Sequence, residues 1–157
     1  MKKFKFSLQA LLNYKETLEK TQKADLKRAQ QALRELLDEE ARLLRAYADN
    51  ERSLERALQT GKNIAAALSE HDAYFRFLRD ALIELRERIV KAEQVRDKCM
   101  DILIKTMKEL KTYNKLRDEQ YQSYKKEILA EESKEIDDLV SFKIIDSGLY
   151  STKSNME

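Results

Sequence analysis

From Leu8 onward, apolar side chains recur at alternating spacings of three and four. The seam runs through Leu8, Leu11, Leu18, Leu26, Ala29, Leu33, Leu36 or Leu37, Leu44, Tyr47, Leu54 and Leu58. Lys15, Gln22, Glu40 and Glu51 stand at the same spacing. A stripe of this period lies along one side of an α-helix, and over many turns it is the a/d pattern of a coiled coil. The polar members weaken the seam, and they either fix its register or mark where a partner docks. Ser7 is placed to cap the first turn with its hydroxyl, and Phe6 and Leu11 have the spacing of a hydrophobic staple. Helix one is predicted over about 7–59.

Gly61 follows the last strong seam position, and Gln59-Thr60-Gly61-Lys62-Asn63 is the one convincing break before residue 140. The tip takes in about 60–73, with Ile64 to Asp72 read either as loop or as a short helix at the tip. A second seam follows at Phe75, Leu78, Leu82, Leu85, Ile89, Ala92, Arg96, Cys99, Leu103, Thr106, Leu110, Tyr113, Arg117, Tyr121, Tyr124 and Ile128. Ile136, Leu139 and Phe142 continue it weakly, so helix two is predicted over about 74–140. Past Lys143 the pattern fails, and 143–157 reads as a flexible C-terminal tail.

Neither helix can bury its stripe alone, and its neighbour in sequence is the nearest partner. The expected fold is all-α, two long helices in an antiparallel coiled-coil hairpin, forming one domain over 1–142. Charge favours that orientation. Residues 118–138 hold eight acids against three lysines, and folding back sets them beside Lys2, Lys3, Lys5 and Lys15. Each exposed pair is worth only about 0.3–0.5 kcal/mol, enough to choose an orientation but not to hold a fold. At ~1.5 Å per residue, roughly 50 residues of helix one make a rod of about 75 Å, with helix two overhanging where the termini meet. A seam filled from within predicts a monomer.

Composition agrees. The chain has no Pro, two Gly and no Trp among 157 residues, and 38% of its residues are charged. Few points exist where it can reverse, and the apolar residues suffice for a seam but not for a thick core. There is no glycine-rich phosphate loop, no paired Cys or His for a metal, and no enclosed pocket in which catalytic groups converge. An enzyme is not expected, and neither is a cofactor. The lone His71 reads as a solvated tip residue, and Cys99 as a small buried seam residue. Arg76 to Arg117 carries twelve basic residues against seven acidic ones. A nucleic-acid site would interleave aromatics on that face, whereas the rings here cluster at or beside the seam, so no nucleic-acid partner is expected. Without a cleavable leader or a run of about 20 apolar residues, the expected location is the cytoplasm.

The aromatics carry more information. Phe77 lies about 200° around the helix from Phe75, so both cannot face one seam. An exposed ring on a rod is a protein-docking signal, and local packing at the tip is the competing reading.

Three stretches resemble the FliJ family of bacterial flagellar export proteins. They are Phe6-x-Leu8-x-x-Leu11-Leu12, Tyr74-Phe75-Arg76-Phe77-Leu78, and Lys108-Glu109-Leu110-Lys111-Thr112-Tyr113-Asn114-Lys115-Leu116-Arg117. With the length, the resemblance covers residues 4 to about 142. It implies an antiparallel hairpin similar to the stalk of rotary ATP synthases. Such a hairpin binds and stimulates the hexameric flagellar export ATPase, contacts the cytoplasmic domain of the export-gate membrane protein, and escorts export chaperones. The protein would then be peripheral on the cytoplasmic side of the cell membrane. Carried over by position, the gate-contact face is Leu44, Tyr47, Tyr74, Leu78 and Ala81, with Glu51 where an aromatic is expected. The ATPase-contacting end is Phe6, Leu8, Leu11, Tyr113, Tyr121 and Tyr124. A generic coiled-coil scaffold, or the equivalent stalk of a related non-flagellar secretion system, is the alternative.

Overall fold

A computed structural model describes residues 3–153 as two long helices that pack against each other as a hairpin. Helix α1 spans Gln9–Thr60 and α2 spans Ile64–Lys153. No strand occurs among the described residues.

The chain enters α1 through a turn at Ser7 and Leu8, closed by Gln9 N–H donating to the Phe6 carbonyl at 3.2 Å. The first helical bond runs from Leu12 N–H to the Leu8 carbonyl at 2.9 Å, so Leu8 rather than Ser7 stands at the cap. At the other end Gly61 ends α1 as expected, with φ +67° and its N–H bonded to the Leu58 carbonyl. Asn63 also takes a positive φ of 46°, and its carbonyl accepts the first bond of α2 from Ala67 N–H at 3.0 Å. Ile64 to Asp72 is therefore neither a loop nor a separate tip helix. It is the opening of α2, and Ala65, Ala66 and Ala67 favour that because Ala is the best helix former. At its far end α2 runs on to Lys153, past the expected stop near 140. Residues 154–157 of the expected tail lie outside the described residues.

Internal contacts group the chain into two compact units, one built from Met1–Tyr14 with Glu109–Glu157 and the other from Lys15–Lys108. In the second unit Asn50 meets His71, Glu40 meets Arg86, and Glu39 meets Arg88. Numbers fall along α1 as they rise along α2, which is antiparallel pairing. Its core is Leu33, Leu85 and Ile89, supported by Leu36, Leu43 and Ala92. Burying such a side chain is worth roughly 1.5–3 kcal/mol.

The seam of α2 follows the expected positions from Phe75 to Arg117. That of α1 does not. Leu44, Glu51 and Leu58 are exposed, and Leu43, Asn50 and Ala57 take the inward places. The inward set Leu33, Leu36, Glu40, Leu43, Tyr47, Asn50, Leu54 and Ala57 keeps strict three–four alternation, whereas the expected set broke it with two steps of four. Gln22 sits on the seam with its side-chain carbonyl oxygen buried and unbonded.

Candidate functional site: two aromatic docking surfaces

In the unit formed by Lys15–Lys108, one turn of α2 carries three rings with different surroundings. Phe75 faces inward and packs on Tyr47 of α1, with ring centroids 4.7 Å apart. Tyr74 and Phe77 turn away from the seam and stack on each other, centroids 6.2 Å apart and planes 13° off parallel. They are 43% and 64% exposed. Both lie on α2, whose dense intrahelical bonding fixes the backbone beneath them, so the pair is presented with little freedom to lose on binding.

The structure divides the expected gate-contact face. Leu78 is 1% exposed and belongs to the core, so a partner cannot touch it without parting the helices. Tyr47 is half-buried against Phe75, and Ala81 is half-buried. The Glu39–Arg88 ion pair marks one flank of the hairpin. At ~100° per residue, Tyr74, Phe77 and Ala81 share Arg88's side of α2, while Leu44 lies about 140° around α1 from Glu39 and so on the other flank. Leu44 is exposed, but it does not join Tyr74 in one surface. Phe77 does join it. The rotation between Phe75 and Phe77 already showed that one ring must leave the seam, and adding Phe77 to the site needed only that step.

His71 is not a solvated tip residue. It is half-buried, its Nδ1 lies 2.5 Å from Asn50 Oδ1, and its carbonyl accepts from Asn50 Nδ2 at 3.2 Å. Asn50 had no signal in the sequence, since a polar residue there breaks the apolar stripe.

The other unit gathers the second set of rings. Phe6, Leu12 and Leu110 form its core, with Phe4, Leu8, Tyr113 and Leu116 packed on it. The Phe4 ring meets Tyr121 edge-on at 5.2 Å and Tyr124 at 5.5 Å. Tyr121 and Tyr124 stack at 6.4 Å, and Lys125 Nζ sits 4.6 Å over the Tyr121 ring. Of the expected ATPase-contacting residues, Phe6 is therefore core, and Leu8, Leu11, Tyr113 and Tyr124 are half-buried. Tyr121 is the exposed one; Gln120 takes the inward position beside it. Residues 4–6 hold the N-terminal segment against α2, and what faces outward is a tyrosine ring with an ammonium group above it. A cation over an aromatic face contributes about 0.5–1 kcal/mol at an exposed site, so the lysine is held but remains available.

No group of His, Cys, Asp or Glu able to hold a metal occurs among the described residues. No described helix is long and apolar enough to cross a membrane. The exposed apolar side chains of these two surfaces include the rings of Tyr74, Phe77 and Tyr121, and rings anchor protein interfaces.

No curated protein and no solved structure matches the chain. A family model described as the flagellar FliJ protein matches residues 4–149, taking in both aromatic surfaces and the turn between the helices. The chain belongs to the FliJ family.

Proposed function

We propose that the two aromatic surfaces serve two different partners: Tyr74 with Phe77 engages the cytoplasmic domain of the export-gate membrane protein, and Tyr121 with Lys125 lies at the end that engages the hexameric export ATPase. FliJ-family proteins are non-catalytic components of flagellar protein export. A component without chemistry of its own acts through what it holds together. The observation that carries the reading is the exposed, nearly parallel Tyr74–Phe77 pair. Peripheral attachment at the membrane follows from gate binding, and escort of export chaperones belongs to the same proposal. In this proposal the chain is a monomer on its own, a reading supported by Leu33, Leu85 and Ile89 packing together within one molecule.

The test uses two double variants of the full chain. Tyr74→Ala with Phe77→Ala should weaken gate binding at least tenfold and leave ATPase stimulation unchanged. Tyr121→Ala with Lys125→Ala should do the reverse. Helicity and melting should stay near those of the parent in both cases. If each variant loses both partners while remaining folded, or neither loses any, the division of labour is wrong.

A further inference from the structure

Within the unit formed by Lys15–Lys108 the seam has two sections of different chemistry. Over 29–43 and 78–92 every seam position but Glu40 is apolar, and Leu33, Leu85 and Ile89 form the core. Over 15–22 and 96–106 the seam instead carries Lys15, Glu19, Gln22, Arg96 and Thr106. Leu103 is the one buried apolar side chain of this section, with Leu18 half-buried beside Glu19.

The polar section holds its contents poorly. Gln22 keeps a buried side-chain oxygen that no donor meets. Glu19 and Arg96 bring charge into the seam, yet each finds its partner on its own helix. Lys23 Nζ lies 2.7 Å from Glu19, and Arg96 Nε donates to Asp97 at 2.9 Å. Neither pair ties α1 to α2, whereas in the apolar section Glu40 with Arg86 and Glu39 with Arg88 do. Closing apolar faces removes them from water, which favours the closed state. Closing polar ones gives up hydration, and an oxygen left without a donor is a penalty that opening relieves. Local opening is easiest where buried apolar contact is scarcest.

We propose that residues 15–22 and 96–106 form a compliant section of the hairpin, where the helices part locally and reversibly while the section over 29–43 and 78–92 stays closed. A two-helix rod yields where one helix can draw away from or slip past the other, so this is where the hairpin gives under load. The device is independent of which partner each aromatic surface takes. It also carries its own reporter: Cys99, the single thiol of the chain, lies half-buried at a seam position of this section, and drawing α1 away uncovers it.

The experiment labels the full chain with N-ethylmaleimide under native conditions. A control chain with Cys99→Ser and Ala92→Cys places the thiol at a seam position of the apolar section that is half-buried in the same way. Each rate is referred to that of the same thiol in the urea-unfolded chain. Cys99 should react at least tenfold faster than the thiol at 92. Gln22→Leu with Thr106→Val should slow Cys99 at least tenfold. Leu85→Ala should speed labelling at 92 and leave Cys99 unchanged, because the polar section opens without the apolar one. Equal rates at the two positions, a Cys99 rate untouched by the closing pair, or a Cys99 rate that rises with Leu85→Ala would each overturn the proposal. Should Leu85→Ala fail to fold, the urea dependence of the parent decides. Labelling of Cys99 that is nearly flat at low urea is local opening, and a dependence as steep as that of global unfolding refutes it.

Discussion

Asn50 offers a sharp test of how the hairpin sets its register. It is 7% exposed, at an inward position between Tyr47 and Leu54. Its amide is satisfied because Nδ2 donates to the His71 carbonyl at 3.2 Å and Oδ1 meets His71 Nδ1 at 2.5 Å. Oδ1 carries no proton, so the ring nitrogen is the donor. Replacing Asn50 by Ala removes both bonds and leaves two half-buried His71 groups to find water. Two net hydrogen bonds are worth about 1–3 kcal/mol together. Ala returns about 0.5 kcal/mol through its better helix propensity. The expected loss is about 0.5–2.5 kcal/mol, or about 1–10 °C in melting for a chain of this size. Denaturation followed by helical circular dichroism measures it, with His71→Ala and the double variant completing a cycle. The side-chain pair should then show a coupling of at least about 0.5 kcal/mol. An Asn50→Ala protein as stable as the parent, or strictly additive single variants, would refute the claim that this pair joins the helices.

Three further outcomes follow from the same packing. Leu85→Ala should cost about 2–5 kcal/mol in chemical denaturation, whereas Leu44→Ala, at an equally leucine-rich but outward position, should cost less than about 0.5 kcal/mol. Gln22→Leu should raise stability by about 1–2 kcal/mol, because it removes a buried oxygen that has no partner and adds an apolar seam residue; an unchanged midpoint would mean that oxygen is already solvated. Gly61→Ala should destabilise by about 1–2 kcal/mol through its φ of +67° alone, since a Cβ there would meet nothing within 4 Å. A loss well outside that range in the melt would point to a turn that tightens or rearranges.

Much of α2 was legible because its inward positions are nearly all apolar or small from Phe75 onward, and one period fits them. The C-terminal half of α1 was not. There Leu36 stands beside Leu37 and Leu43 beside Leu44, so two stripes about 100° apart look equally apolar. Choosing Leu44 forced Glu51 and Leu58 inward; choosing Leu43 brings in Asn50 and Ala57 instead. The second choice wins because His71 satisfies the Asn50 amide, and that partner is 21 residues away in the chain. The ring surface was half legible. Rotation about one helix removes Phe77 from the seam, but it cannot say that Leu44 lies on the opposite flank from Tyr74.

By itself the sequence determined the number of long helices, the turn at Gly61 and the apolar period of each stripe. These are local matters, set by propensity, by the absence of proline and by one glycine able to hold a positive φ. Only the tertiary structure decided which of two adjacent leucines is buried, which polar side chains go inside, and which rings are left facing water. Burial belongs to two faces in contact, so a single helix's pattern leaves it undetermined until the opposing side chains are in place.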